Sequence, residues 1–219
     1  MTTNTPGETN QAGGYGMGYS QTVVNRFQQR RADFYAATLL TRLRPGMSVL
    51  DCGSGPGSIT LDLAEAVAPG QVVGIDIEPT QAARAQANAA ERGVLNVRFQ
   101  TADVHKLPFD DSAFDAMFAC AVLQYLRDPW QALAEMRRVL KPGGVIGLTN
   151  VAFQGGLHWP PSDMWEAWTK LVTETADPNG MWGRTLGNRD TLQKAGFVRC
   201  EIAARYENYG TPEATAYWG

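Results

Sequence analysis

The residues best suited to bind a ligand form a glycine-rich turn between a predicted strand and a predicted helix. Residues 49–58 read VLDCGSGPGS. Glycine lets a ligand approach the backbone closely, and the following helix offers free N–H groups at its positive end. A dinucleotide-binding loop would read GxGxxG, but Ser58 takes the place of the third glycine here. The turn therefore predicts a ligand site and disfavours a nicotinamide cofactor.

Two acidic residues follow the next two predicted strands. Asp76 ends the second strand, about 20 residues after the turn, where a carboxylate can accept hydrogen bonds from both hydroxyls of a ribose. Asp103 follows the third strand, where it can accept from an adenine amino group while Val104 covers the ring. The turn and the two acids, each after a strand, predict one adenosine site.

The elements that must position these residues alternate along the chain. Short apolar runs predict strands over residues 48–52, 72–77, 97–99, 116–120, 145–148 and 198–203, with a turn at 142–144 before the fifth. Helical patterns lie between them, including one from Pro79 to Gly93 and one that Asp128 caps. The alternation is typical of an α/β fold with a doubly wound, Rossmann-like parallel sheet in three αβα layers.

One domain is expected, because 219 residues support one substantial core. We predict a flexible polar tail over 1–18 and a single domain over 19–219. The parts of that domain are an N-terminal helical cap (19–44), the core that carries the ligand site (45–150), an insertion with four of the six tryptophans (151–185), and a C-terminal helix and strand (186–219).

The composition bounds the class of protein. A net charge of -3 and the lack of a Lys/Arg run disfavour a nucleic-acid partner. No apolar stretch reaches the roughly 18 residues of a membrane span, and the N-terminus lacks the pattern of a secretory signal. Three widely spaced cysteines fit a reducing compartment and no zinc site. We therefore expect a cytoplasmic enzyme with no bound metal and no membrane contact.

Further motifs carry a resemblance to a known family. They are LPF at 107–109, SAFD at 112–115, AVLQYL at 121–126 and RVLKPGG at 138–144. With the glycine turn and the two acids, they make residues 45–144 closely similar to class I S-adenosylmethionine-dependent methyltransferases of the ubiquinone/menaquinone-biosynthesis (UbiE-like, type 11) family. The resemblance implies the methyltransferase fold, and the position of the insertion after the fifth strand predicts that it forms a lid over the ligand crevice.

The resemblance also implies roles for single residues. Asp51 would brace the turn or contact the cofactor directly, and Gly53 and Gly55 would contact the methionine part through their backbone. Asp76 would bind the ribose, Asp103 and Val104 the adenine, and the backbone at Cys120 the methionine ammonium. The full set of residues assigned to the cofactor is Tyr19, Asp51, Gly53, Ser54, Gly55, Asp76, Ile77, Ala102, Asp103, Val104 and Cys120.

Catalysis is expected to depend mainly on alignment, because the methyl donor is already activated. An oxygen or nitrogen acceptor also requires a base that removes its proton. The candidates are His158, Tyr125 and Glu166, and His158 is preferred. Trp159 and its neighbours predict a lid that encloses a small organic acceptor. Ser162 is predicted to cap a helix in this lid.

Alternatives stay open at this point. The same pocket suits a non-catalytic adenosylmethionine-binding pseudoenzyme, and a nicotinamide-dependent oxidoreductase is a second option. A nucleic-acid methyltransferase is disfavoured, since no Asn-Pro-Pro-Tyr or Asp-Pro-Pro-Tyr run follows the fourth strand. The family usually ends with a seventh strand that this sequence does not clearly show. We therefore expect an incomplete sheet, in which the seventh strand is cut off at the C-terminus, is supplied by a partner, or is lacking from the fold so that an open edge leaves a homodimer as an option.

Overall fold

The described residues form one parallel five-stranded sheet. A computed structural model describes residues 20–150, 162–167, 170 and 189–205. The strand order is β3-β2-β1-β4-β5, and all four strand pairs are parallel. The strands are β1 (Val49–Cys52), β2 (Val72–Asp76), β3 (Val97–Thr101), β4 (Phe114–Cys120) and β5 (Leu140–Thr149). The order reverses between β1 and β4, which creates the crevice where such sheets bind ligands.

Helices cover both faces of this sheet, as the alternating pattern predicts. They are α1 (Gln21–Gln28), α2 (Ala32–Tyr35), α3 (Ala37–Leu40), α4 (Ser58–Val67), α5 (Pro79–Arg92), α6 (Pro129–Val139) and α7 (Arg189–Lys194), with a short 3-10 turn at Leu123–Tyr125. Gly93 ends α5 in the left-handed conformation. Asp128 caps α6 by accepting the Gln131 N–H at 3.0 Å. The predicted bounds of α5 and the predicted start of α6 are confirmed.

The core lies in two layers, one on each face of the sheet. Successive residues of β1 point to opposite faces, so Leu50 packs in the layer that α6 covers and Val49 in the layer that α4 covers. Leu133 and Met136 of α6 and Leu63 and Val67 of α4 are fully buried. Strands that are buried on both faces explain the nearly continuous apolar runs in the sequence.

Two predicted features of the C-terminal half are wrong. Residues 198–203 form no strand, and Val198 is 80% exposed. Because the Val198 side chain is exposed and packs against no other layer, the β-propensity of residues 198–203 is not sufficient to form a strand. The turn predicted at 142–144 instead lies within β5, where the pairing with β4 shifts register and Gly143 adopts φ +79°. That local irregularity lets β5 start at Leu140, which pairs with Phe114.

Several predictions fall outside the described residues. These are the tail (1–18), Tyr19, most of the insertion (151–185) with His158 and Trp159, and residues 206–219. The described part of the insertion bears out the Ser162 cap, because the Trp165 N–H donates to Ser162 Oγ at 3.3 Å and residues 163–167 are helical. Within the described ranges, every helix is too short or too polar to cross a membrane.

Candidate functional site

The glycine-rich turn lies at the carboxyl end of β1 and leads into α4. The N–H groups of Gly53 and Ser54 both donate to the Ile75 carbonyl, at 2.8 and 2.9 Å, which ties the turn to β2. Gly53 has φ +73°, and a Cβ there would collide with Val122. The turn thus requires glycine at this position for both its conformation and its space.

Two further glycines make room for one aromatic ring. A Cβ at Gly57 would lie 2.9 Å from the ring of Phe99 on β3, and a Cβ at Gly74 on β2 would collide with the same ring. Gly57 is also the N-cap of α4, with φ +85°. Phe99 therefore packs behind the turn and supports the backbone that faces the crevice.

Asp76 connects the end of β2 to the turn. Its side chain accepts the Gly55 N–H at 2.9 Å and the Glu78 N–H at 3.0 Å, and only 7% of the residue is exposed. Burial raises the pKa of this carboxyl, and the two backbone hydrogen bonds oppose the rise. The acid predicted from the sequence thus directly contacts the predicted glycine turn.

Asp51 lies behind the turn, at the base of α4. The Thr60 hydroxyl donates to its carboxylate at 2.6 Å, and the residue is 2% exposed. Burial raises the pKa of Asp51 to about 7, the Thr60 hydrogen bond acts against this, and the charge of Asp76 adds to it. Of the two roles that the sequence leaves open for Asp51, this contact favours bracing the turn.

Asp103 lies beyond the end of β3 and contacts His105. Its Oδ1 accepts the His105 backbone N–H at 2.9 Å and lies 2.7 Å from His105 Nδ1. Partial burial works to raise the pKa of Asp103, but the hydrogen bonds and charge of His105 hold it below its usual value. The carboxylate is half-exposed, so it stays accessible to a ligand at this edge.

Apolar side chains flank the two acids. Ile77, directly after Asp76, is 46% exposed, whereas Val104 is buried. The Ala102 N–H donates to the Asp76 carbonyl at 3.0 Å and links the ends of β2 and β3. Ile77 thus presents an exposed apolar side chain directly after Asp76.

The end of β4 forms the other wall of the crevice. Cys120 is half-buried, and Ala121 adopts φ +54° while its N–H donates to the Thr149 carbonyl at 2.7 Å. The backbone then turns into the 3-10 segment that holds Tyr125, which is half-buried. The structure thereby brings Cys120 and the glycine turn to the same end of adjacent strands.

Two residues of the N-terminal cap, which no site motif in the sequence predicts, lie against the glycine turn and the end of β4. The Phe27 carbonyl accepts from Ser58 Oγ at 2.6 Å, and the Phe27 ring lies beside Gly55. The Arg30 guanidinium stacks over the Phe27 ring at 4.6 Å, and its Nη1 lies 4.0 Å from Cys120 Sγ. Phe27 shows helical apolar spacing in the sequence, but nothing local marks Arg30, whose contact spans 90 residues of chain.

Ser54 is the remaining described member of the predicted set. Its Oγ is buried and has no hydrogen-bond partner within the described part of the chain. The same part contains no group of three or more His, Cys, Asp or Glu side chains arranged to hold a metal ion. Tyr19 and His158 lie outside the described residues.

The topology and the site define the class of protein. A parallel sheet ordered β3-β2-β1-β4-β5 with a glycine turn after β1 and acids after β2 and β3 is a Rossmann-like, nucleotide-type binding domain. Residues 43–195 match the methyltransferase domain family. The chain belongs to this family, and its fold is that of the class I S-adenosylmethionine-dependent methyltransferases.

Individual relatives agree with this assignment. A probable methyltransferase of Aspergillus luteorubrus is 36% identical over 165 residues, which cover 71% of this chain and 57% of the relative. A ubiquinone/menaquinone biosynthesis C-methyltransferase of Bdellovibrio bacteriovorus is 34% identical over 120 residues, covering 52% of this chain and 51% of its own. The chain spans about half the length of the curated relatives it matches.

A solved structure shares the fold. The crystal structure of a SAM dependent methyltransferase from Aquifex aeolicus superposes with a TM-score of 0.57 and 24% identity, covering 73% of this chain and 88% of that one. At this level of identity, the similarity shows a common fold.

Proposed function

We propose that the protein transfers the methyl group of S-adenosylmethionine to a small-molecule acceptor in the cytoplasm. The observation that carries this proposal is the contact between Asp76 and Gly55, which joins the acid after β2 to the glycine turn after β1. That arrangement places a buried carboxylate directly beside the backbone of the glycine turn, where one ligand that carries hydroxyl groups and a polar chain can contact both. Membership of the methyltransferase domain family supports the same reaction class.

The proposal assigns a cofactor role to each of the described side chains at the carboxyl ends of β2 and β3. Asp76 binds the ribose hydroxyls, while Ile77, Ala102 and Val104 contact the adenine ring and Asp103 accepts from its amino group. The backbone of Gly53 and Gly55 faces the methionine part.

The remaining predicted members complete the cofactor site. Asp51 braces the turn through Thr60, and Ser54 belongs to the same turn. The backbone at Cys120 receives the methionine ammonium. Tyr19, at the start of the N-terminal cap, adds to the enclosure.

The reaction needs alignment more than acid–base chemistry. S-adenosylmethionine supplies an activated methyl group when bound, and transfer yields S-adenosylhomocysteine. The chain's residues orient the acceptor in line with that group and exclude water, which accounts for roughly 7 to 11 kcal/mol in favourable cases. Where the acceptor carries a proton, the proposed base that removes it is His158 or Tyr125.

The acceptor is a small organic molecule enclosed by the insertion at 151–185. Four tryptophans in this segment provide aromatic faces for an apolar or cationic molecule. The net charge of -3 supports an acceptor other than nucleic acid. Among the described residues β5 is an edge strand of the sheet, and such an edge supports a homodimer as the assembly.

The direct test compares ligands and then measures turnover. Titration calorimetry should show binding of S-adenosylmethionine and S-adenosylhomocysteine, and no binding of NADH or NADPH. Incubation with cofactor labelled on the methyl group and a metabolite library should then yield a labelled product. Cofactor binding without any labelled product would identify a non-catalytic adenosylmethionine-binding protein, and preference for NADPH would indicate an oxidoreductase.

A further inference from the structure

The loop that follows β3 is joined to α6 by a regular set of hydrogen bonds. Residues 102–113 form no helix and no strand, so the shape of this loop depends on its neighbours. Glu135 of α6 accepts the Leu107 N–H at 2.8 Å. Arg138, almost one turn further along α6, donates to the carbonyls of Leu107 and Phe109 at 3.0 and 2.8 Å. Two sequence motifs that the cofactor roles do not use, LPF and RVLKPGG, thus meet here and fix the loop.

The same face of α6 holds His105, which lies between those contacts and Asp103. Gln131 is one turn before Glu135, and residues four apart share a face of a helix. Its Nε2 donates to the His105 carbonyl at 3.0 Å. The His105 side chain is 24% exposed, and its own Nε2 is buried without a hydrogen-bond partner in the described part of the chain. The imidazole is therefore held through its backbone, and Nδ1 is the ring atom that makes a polar contact.

Nδ1 of His105 contacts the carboxylate of Asp103. Oδ1 of Asp103 lies 2.7 Å from Nδ1 and also accepts the His105 backbone N–H at 2.9 Å. Because a carboxylate only accepts hydrogen bonds, Nδ1 carries the proton in this contact. Both bonds go to Oδ1, and no other described residue donates to the Asp103 side chain. One carboxylate oxygen is thus fixed by His105, and Oδ2 is available to a ligand.

This restraint matters because Asp103 is accessible to water, with 53% of its side chain exposed. A ligand amino group that binds there exchanges a hydrogen bond with water for one with the carboxylate, so the net gain is modest. A carboxylate that is already oriented loses less conformational freedom on binding, and more of the gain is kept. The contacts of His105 supply that orientation before a ligand is present.

We propose that His105 is a positioning residue: it orients the Asp103 carboxylate so that Oδ2 meets the adenine amino group, and it thereby sets the preference for adenine over a base that lacks this group. The inference rests on the proposed function, since Asp103 is the acid assigned to adenine. It also gives α6 a part in recognition, because Gln131 holds the backbone of His105.

The test uses S-adenosylhomocysteine and S-inosylhomocysteine, in which an oxygen replaces the adenine amino group. Calorimetry on the full chain gives the ratio of their dissociation constants for the native protein, His105→Asn, His105→Leu and Asp103→Ala. Asparagine keeps a donor near the position of Nδ1 and loses most of the ring, whereas leucine keeps much of the volume and loses the donor. A packing role and a positioning role of His105 therefore predict opposite orders for these two variants. Lys106→Ala, which alters the neighbouring exposed residue, is the control.

We expect the native protein and Lys106→Ala to prefer S-adenosylhomocysteine by about tenfold or more, as for a charge-assisted contact. Asp103→Ala should bring the ratio close to one. His105→Leu should lower the ratio by about threefold or more, whereas His105→Asn should stay within about twofold of the native value. In the Asp103→Ala background, His105→Leu should not change the ratio further, because His105 acts through Asp103.

A native ratio in His105→Leu overturns the inference. It is also overturned if the Asn variant loses the preference and the Leu variant keeps it, or if His105→Leu weakens both ligands equally, because these results describe packing. If His105→Leu does not fold, His105→Ala replaces it under the same criteria.

Two further results separate this inference from the proposed function. Native protein that binds both ligands equally well overturns the role of His105 and leaves methyl transfer standing. Native protein that binds neither ligand overturns both.

Discussion

The carboxylate of Asp76 accepts the backbone N–H of Gly55 at a distance of 2.9 Å. The acid after β2 and the turn after β1 are therefore in direct contact in the folded chain. Glu78 N–H occupies the other carboxylate oxygen at 3.0 Å. The two hydrogen bonds fix the orientation of the Asp76 carboxylate, as the proposed contact with the ribose hydroxyls requires.

Replacement of Asp76 by Ala should weaken S-adenosylmethionine binding by about tenfold or more, since hydrogen bonds to charged groups contribute about 1.5 to 3 kcal/mol each. Asp76→Asn keeps an acceptor for the Gly55 N–H, so it separates the effect of losing the carboxylate charge from the effect of losing the hydrogen bond to the turn. Calorimetry measures both affinities, with Glu78→Gln as the neighbouring control. A folded Asp76→Ala protein with unchanged affinity would contradict the assigned ribose contact.

Asp51 should make the stability of the protein depend on pH. Burial raises its folded pKa from 3.8 to about 7, so between about pH 4 and pH 7 the folded state binds more protons than the unfolded state. Stability from this group is therefore greatest below pH 4 and declines as the pH rises through 7.

The variant Asp51→Asn removes this titration and keeps an acceptor for Thr60. Its melting temperature should fall less than that of the native protein between pH 4 and pH 7, as differential scanning fluorimetry can show. Asp110→Asn, which removes an exposed carboxyl, serves as the control and should follow the native curve. Parallel curves for Asp51→Asn and native protein would show that Asp51 is not the titrating group.

Asp115 should make the stability of the protein depend on pH in the opposite sense to Asp51. Burial works to raise its pKa, but Lys141, at 2.7 Å, and the Ser48 N–H and hydroxyl hold it down at about 2. Its contribution is therefore present above pH 4 and is lost as the pH falls through 2.

At pH 7, Asp115→Asn should lower the free energy of unfolding by about 1 to 3 kcal/mol, as when a charged hydrogen-bond partner is lost. Urea denaturation measures this difference, which should shrink below pH 4. Lys141→Gln should reproduce part of the loss. A difference that stays constant between pH 7 and pH 3 would exclude the charge of Asp115 as its cause.

Gly53→Ala should destabilise the protein through a collision with Val122. Overpacking of this kind costs about 1 to 3 kcal/mol. Gly93→Ala is a matched control, because Gly93 has φ +69° but no atom within 4 Å of the position that a Cβ would take, so it reports backbone strain alone. Adding Val122→Ala should recover part of the loss at Gly53 by at least about 0.5 kcal/mol in a double-mutant cycle. Strict additivity of the two substitutions would show that they do not touch.

Alanine substitutions at Trp159 and His158 test the proposed binding site for the methyl acceptor. Cofactor affinity should stay at the native value, while turnover falls or the acceptor KM rises, because the insertion is proposed to enclose the acceptor. Labelled-methyl transfer to an acceptor found by the library screen provides the measurement. Native turnover in both variants would place the acceptor elsewhere.

The sequence predicts the five strands and the meeting of Asp76 with the turn, because both follow from local patterns. Apolar runs mark strands that are buried on two faces, and parallel strands bring their carboxyl ends to one edge. Arg30 could not be found in this way, since its position depends on how α1 packs across the turn, far along the chain. The error at 198–203 has a related cause, because strand formation there requires a partner that no local pattern specifies.

Phe99 limits which sequences this site can accept during evolution. Its ring occupies the space that side chains at Gly57 and Gly74 would need. A mutation that enlarges either glycine is therefore tolerable only in a background where residue 99 has already become smaller, and a smaller residue 99 on its own leaves a cavity behind the turn. Gly74 and Phe99, which pair on neighbouring strands, should therefore change together or not at all across homologues, whereas Gly57 should stay glycine because of its φ of +85° and its approach to Ala85.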